Sequence, residues 1–174
     1  MAITKKKKQE ILALTKERLE GTKSVVFVSF KMLSVLETKI LRRKLAASQL
    51  GYFVAKKSLL KKVLGELKIT GDMPELPGEL AIAYVPTTVV NGDLLSPSRE
   101  TYAFQKVPHG KGSISIVGGI FDGVYKTQNE MMAIATIPSP DVLRGMFVNI
   151  INSPIQRFVI ALGEISNVKS ISSV

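Results

Sequence analysis

Hydrophobic positions fall along the chain in two alternating rhythms. Ser24-Val-Val-Phe-Val-Ser-Phe30 is a nearly unbroken β-branched and aromatic run, the pattern of a buried strand. Tyr52-Phe-Val-Ala55, Leu80-Ala-Ile-Ala-Tyr-Val85 and Ser113-Ile-Ser-Ile-Val117 predict three more strands. Gly118-Gly119 breaks or bulges the last before Ile120-Phe121. Between them the spacing changes to three and four. A first helix runs from an N-cap at Thr4 to about Glu20, closed by Gly21. Lys31-Met32-Leu33 turns, and Ser34 caps a second helix to about Leu50. A third carries Leu60, Val63, Leu64 and Leu67 inward. Ile69–Gly78 and Pro86–Leu95 are loops, Ser96-Pro97 opens a short helix, Asp122-Gly123 turns, and Thr127 caps a helix to about Thr136. The strand–helix–strand order favours parallel pairing of the first two strands. The fold class is α/β: a single domain with a mixed sheet flanked by helices over residues 1–136.

A two-helix tail follows. Ser139-Pro140-Asp141 opens one helix, and residues 137–152 form a connecting helix and hinge. Asn152-Ser153-Pro154 opens the next, over residues 153–174, with the residue before Pro154 pushed out of helical geometry. Ile155, Phe158, Val159, Leu162 and Ile165 recur at helical spacing and form one apolar stripe. That stripe either folds back on its own domain or projects toward a partner.

Composition fits a folded chain, with 45% hydrophobic residues. Charge placement changes the picture more. The net charge is +10, and residues 1–62 hold 16 lysines and arginines against 4 carboxylates, whereas residues 63–174 hold 8 against 10. Such segregation predicts a cationic face for nucleic acid or an anionic surface. Lys5, Lys6, Lys7 and Lys8 would fill the first turn of a helix, where the dipole disfavours cations; they are either a solvated run or phosphate contacts. Lys39, Arg42 and Arg43 share a helix face.

Catalytic constellations do not assemble. The chain has no Cys and a single His, His109, in a loop, so no thiolate nucleophile, zinc cluster or disulfide framework can form. Gly110-Lys-Gly-Ser113 lacks the phosphate-loop spacing and precedes a strand where that motif precedes a helix. No enzyme activity and no cofactor or metal are expected. Lys5–Lys8 is followed by polar residues, unlike a signal peptide, and no run of about 20 apolar residues occurs, so no membrane role is expected.

The ordered set Met1-Ala-Ile-Thr-Lys5, Val25-Val-Phe-Val28, Leu41-Arg-Arg-Lys-Leu45, Val54-Ala-Lys-Lys-Ser-Leu-Leu60, Gly118-Gly-Ile-Phe-Asp-Gly123 and Ile137-Pro-Ser139 resembles the bacterial-type large-subunit ribosomal stalk-base family, number ten in the ribosomal naming. The resemblance covers nearly the whole chain. It implies a structural constituent of the large subunit in the cytoplasm, without a cofactor. Its globular domain would bind large-subunit rRNA at the stalk base through Lys5, Lys6, Lys7, Lys8, Lys31, Arg42, Arg43, Lys56, Lys57 and Ser58. Its terminal helix would project and bind acidic stalk protein dimers (ribosomal protein seven/twelve type) through Ile155, Phe158, Val159, Leu162 and Ile165. A helix from Pro154 to Ile171 is about 27 Å long, which by the same resemblance suggests about two dimers. A neighbouring stalk-base ribosomal protein would be a further partner, and translational GTPases an indirect one. The chain departs from the family at Met32, where Gly is common, at Lys56-Lys57-Ser58 for Lys-Asn-Thr, and at Gly78-Glu79-Leu80 for Gly-Pro-Thr. Segment Pro86–Leu95 is also longer. The rival is a free-standing RNA-binding translational regulator whose terminal helix packs on its own core.

Overall fold

A computed structural model describes residues 5–67, 69–87, 93–107 and 112–172. The chain forms two compact units, Met1–Ile137 and Pro138–Val174. In the first, the elements are α1 (Lys5–Leu19), β1 (Ser24–Lys31), α2 (Val35–Ala47), β2 (Gly51–Val54), α3 (Lys57–Glu66), β3 (Glu79–Tyr84), α4 (Ser96–Gln105), β4 (Ser113–Phe121), β5 (Val124–Lys126) and α5 (Gln128–Ala135). The strands form one sheet in the order β2-β3-β1-β4-β5.

The α/β class holds, but the expected parallel pairing does not. Among the described residues, all four strand pairings are antiparallel. The α2 crossover carries β2 one strand beyond β1's neighbour, and β3 enters between them, pairing Val26 with Ala83 on one side and Tyr52 with Ala83 on the other. Strands β1 and β2 therefore point the same way without touching, because the connection leaves room for a later strand. The parallel element among the described residues is an isolated bridge, Thr70 to Val124. Strand β5 also went unpredicted: Asp122 and Gly123, at φ 51° and 77°, make the tight turn that folds Val124–Lys126 back on β4.

Burial on both faces explains the unbroken hydrophobicity of β1. Val26 and Val28 face one cluster with Leu41, Leu45, Ala81, Ala83, Phe104 and Met131, under α2, α4 and α5. Val25 and Phe27 face the other with Leu19, Leu60, Leu64, Leu80 and Ile82, under α1 and α3. Phe27 is fully buried, while Phe30, Tyr52 and Phe53 pack at the margins, so the strand aromatics serve the core. Gly118-Gly119 lies inside β4, where the register slips between Phe27 and Val28. A Cβ at Gly119 would stand 2.5 Å from the Val25 carbonyl oxygen and 2.8 Å from Met131 Cε, a crowding that any side chain would worsen.

Local signals mark the starts of α2 and α5. At α2, Ser34 Oγ accepts from the Glu37 amide and Glu37 Oε2 accepts from the Ser34 amide, a reciprocal capping box. Thr127 and Glu130 repeat it at α5. The N-cap expected at Thr4, the loop residues 88–92 and His109 lie outside the described residues.

The second unit is one helix, α6 (Pro140–Ser172), with Pro154 inside it. The expected two-helix tail and its hinge at Ser153-Pro154 are therefore corrected. A Ser-Pro pair reads the same whether it starts a helix or interrupts one, since proline's φ is helical and its cost is one lost N–H bond and a ring clash. Ile151 and Ile155 already stood four apart across it. The row holds no unbroken run of about 20 apolar residues, as expected, yet this continuous helix has the length and mean hydropathy of a bilayer span. Pro140–Ile165, at mean hydropathy 1.2, is long and apolar enough by length and composition alone. One side of it nevertheless carries Asn149, Asn152, Gln156, Arg157 and Glu164, an amphipathic pattern.

Candidate nucleic-acid interface and apolar stripe

Strands β1 and β2 end where β3 begins, and that corner gathers three of the basic residues. Phe30, Val54, Ala55, Lys56, Lys57, Gly78, Glu79 and Leu80 line an open depression of about 390 Å³. Lys31, the last residue of β1, lays its side chain against Gly78, at its rim. Ser29 Oγ donates to the Pro77 carbonyl at 3.2 Å and fixes the incoming loop. Lys56 sits at the N-cap of α3 without a side-chain cap bond, and Lys57 and Ser58 are the first two helical residues. A helix start and two lysines thus converge at one place. Glu79 is the carboxylate lining this depression.

Among the described residues five helix starts divide into two kinds, while the sixth, that of α4, carries neither a carboxylate nor a lysine in its first turn. α2, α5 and α6 carry Glu37, Glu130 and Asp141 in the first turn, as the helix dipole prefers. α1 and α3 carry no acid there and begin instead with Lys5–Lys8 and Lys57. Each cation so placed costs on the order of 0.3–1 kcal/mol relative to a neutral residue. Folding gains nothing from that arrangement, but an anion at the helix start does.

The remaining predicted residues stand elsewhere. Lys6, Lys7 and Lys8 are exposed, on the half of α1 that precedes its buried Thr15 and Leu19. Lys5 belongs to the same turn. Lower on α1, Lys16 bonds Glu66 of α3 at 2.9 Å; that hydrogen bond and the attraction of the carboxylate push its pKa up. Arg42 lies 5.8 Å from the centroid of the Tyr52 ring, which keeps its guanidinium at the β2 edge. Burial raises the Tyr52 pKa, and the Arg42 charge opposes that shift. Arg43 is exposed on the outer side of α2, beside Leu36, Lys39 and Ile40.

On α6 the five predicted residues Ile155, Phe158, Val159, Leu162 and Ile165 are all exposed, Phe158 at 65%. Because the helix is continuous, the stripe is longer than the sequence reading allowed. Leu143, Phe147 and Ile151 extend it upstream at four-residue steps, also exposed. Their spacing was readable; the assumed break at Pro154 hid it.

A family model described as ribosomal protein L10 matches residues 3–106. The chain is also similar to the large ribosomal subunit protein uL10 of Shouchella clausii (strain KSM-K16), at 28% identity over 162 residues, covering 93% of each chain.

Proposed function

The chain belongs to the ribosomal protein L10 family, a structural constituent of the large ribosomal subunit in the cytoplasm, and from that premise we propose that it joins rRNA to the acidic stalk dimers. The first unit grips large-subunit rRNA at the stalk base. Lys31, Lys56, Lys57 and Ser58 meet phosphates at the α3 start, and Lys5, Lys6, Lys7 and Lys8 do so at the α1 start. Arg42 and Arg43 add forked donors along α2. The observation that carries this reading is the pair of helix starts that hold lysines where folding favours carboxylates.

The second unit offers α6 to N-terminal segments of acidic stalk dimers by helix-in-groove packing. Ile155, Phe158, Val159, Leu162 and Ile165 form the contact, and Leu143, Phe147 and Ile151 lengthen the seam to about 33 Å at 1.5 Å per residue. The dimers in turn recruit translational GTPases, and a neighbouring stalk-base protein completes the assembly.

A salt titration tests the rRNA half. Binding to a stalk-base rRNA fragment should exceed binding to a scrambled fold of equal length, and log affinity should fall steeply against log salt, by roughly 0.7–0.9 per phosphate neutralised. Equal affinity for both RNAs would reduce the basic corner to a merely cationic surface.

A further inference from the structure

At the end of the sheet away from the lysine corner, the first unit holds a cavity of about 160 Å³. Leu19 of α1, Val25 of β1, Leu64 of α3 and Ile120 of β4, all buried, form its walls. Leu67 and Ile69, just past α3, complete them. Val25 opens β1 and Lys31 closes it, so roughly 20 Å of strand separates this space from the basic corner. The exposed residues of the lining are Gly21 and Gly123, and the cavity therefore opens to solvent between them. Both hold positive φ, 79° and 77°, which favours a residue without a side chain and keeps the mouth to bare backbone.

Size and wall chemistry together define what fits. Protein interiors pack to crystal density, with few voids larger than one water. This space is several times the share of a water in the liquid, about 30 Å³. Its walls offer a ligand little to hydrogen-bond. The Thr22 hydroxyl donates to the Leu19 carbonyl at 2.7 Å, and the same carbonyl accepts from the Thr22 amide. The Leu67 carbonyl accepts from the Ile69 amide, and the Gly123 carbonyl from the Thr70 amide. Among the described residues no charged side chain lines the cavity, and no buried side-chain oxygen lacking a hydrogen bond belongs to the lining.

We propose that this cavity is a binding site for a small uncharged apolar molecule, the size of a single benzene ring. A cavity of about 150 Å³ walled by Leu, Ile and Phe takes benzene or xenon, and the aliphatic walls here are of that kind. Drug-sized ligands are too large, since their pockets run to about 300–1,000 Å³. An anion would find no cation in the lining. The site needs neither RNA nor a stalk protein, so it stands or falls apart from the ribosomal reading.

The test is a titration of benzene into the full chain, with isotope-labelled leucine and isoleucine methyl groups read by NMR. The methyl signals of Leu19, Leu64, Leu67, Ile69 and Ile120 should move along one saturable curve. Tm should rise by about 2–4 °C near saturation, because the ligand binds the folded state. Ile69→Phe, which places a ring of the protein's own in the same space, should abolish both responses; Leu67→Phe serves as the filled variant should the first not fold. Methyl shifts confined to Ile155, Leu162 and Ile165 of α6 would overturn the site. So would a response that survives filling, or none up to the solubility limit of benzene.

Discussion

Met32 shows what single residues in this fold are made to do. Its left-handed φ would cost a glycine nothing, whereas a side chain there costs about 1–2 kcal/mol. Replacing it removes that strain but loosens the unfolded chain. Met32→Gly should therefore stabilise the protein by about 0.5–1 kcal/mol net, read as a higher urea midpoint at unchanged slope. A lower midpoint would show that the exposed methionine contributes packing. The lysines at the α1 and α3 starts follow the same logic, tolerated by folding and useful to a ligand. That part of the site was legible because charge segregation is written directly in the row. Convergence of Lys31 with Lys56 and Lys57 was not legible, since it depends on β3 bringing Gly78 and Glu79 between the two strand ends.

At the scale of elements, the starts of α2 and α5 were readable because a capping box is a local chemical pattern. The second box makes a pH prediction. Hydrogen bonds from the Thr127 backbone amide, then from its side chain, hold the Glu130 carboxyl below its ordinary value. A depressed folded pKa gives stability that is present above the unfolded carboxylate pKa and disappears as pH falls through the folded one. Glu130→Gln should flatten the acid limb of the stability curve and leave the alkaline limb alone. An unchanged acid limb would mean that the cap is not formed in solution. Strand pairing was misjudged for a different reason. Sequence order names which strands are consecutive, and only the competition among all strands decides which become neighbours. Pro154 was misread because start and interruption share one signature. Pro154→Ala should restore an interior N–H bond and relieve a penalty of about 3 kcal/mol, slowing amide exchange on either side of residue 154. Exchange unchanged by the substitution would argue that two separate helices meet there.

The whole molecule divides its physics between its two units. The first has a core on both faces of its sheet and carries most of the basic excess. The second leaves an apolar stripe exposed from Leu143 to Ile165. Charge binding weakens with salt, whereas apolar packing is nearly indifferent to it, so the two activities should separate by condition as well as by cutting. Continuity of α6 sets where to cut: removal after Asn152 would leave Leu143, Phe147 and Ile151, so the boundary belongs at Ile137.

Deletion of residues 138–174, followed by titration of the shortened and full chains against both stalk-base rRNA and the acidic stalk protein, tests the two-part assignment most directly. The shortened chain should keep the full chain's rRNA affinity and lose the stalk protein entirely. Loss of rRNA binding along with the stalk protein, or stalk binding that survives the deletion, would contradict the account.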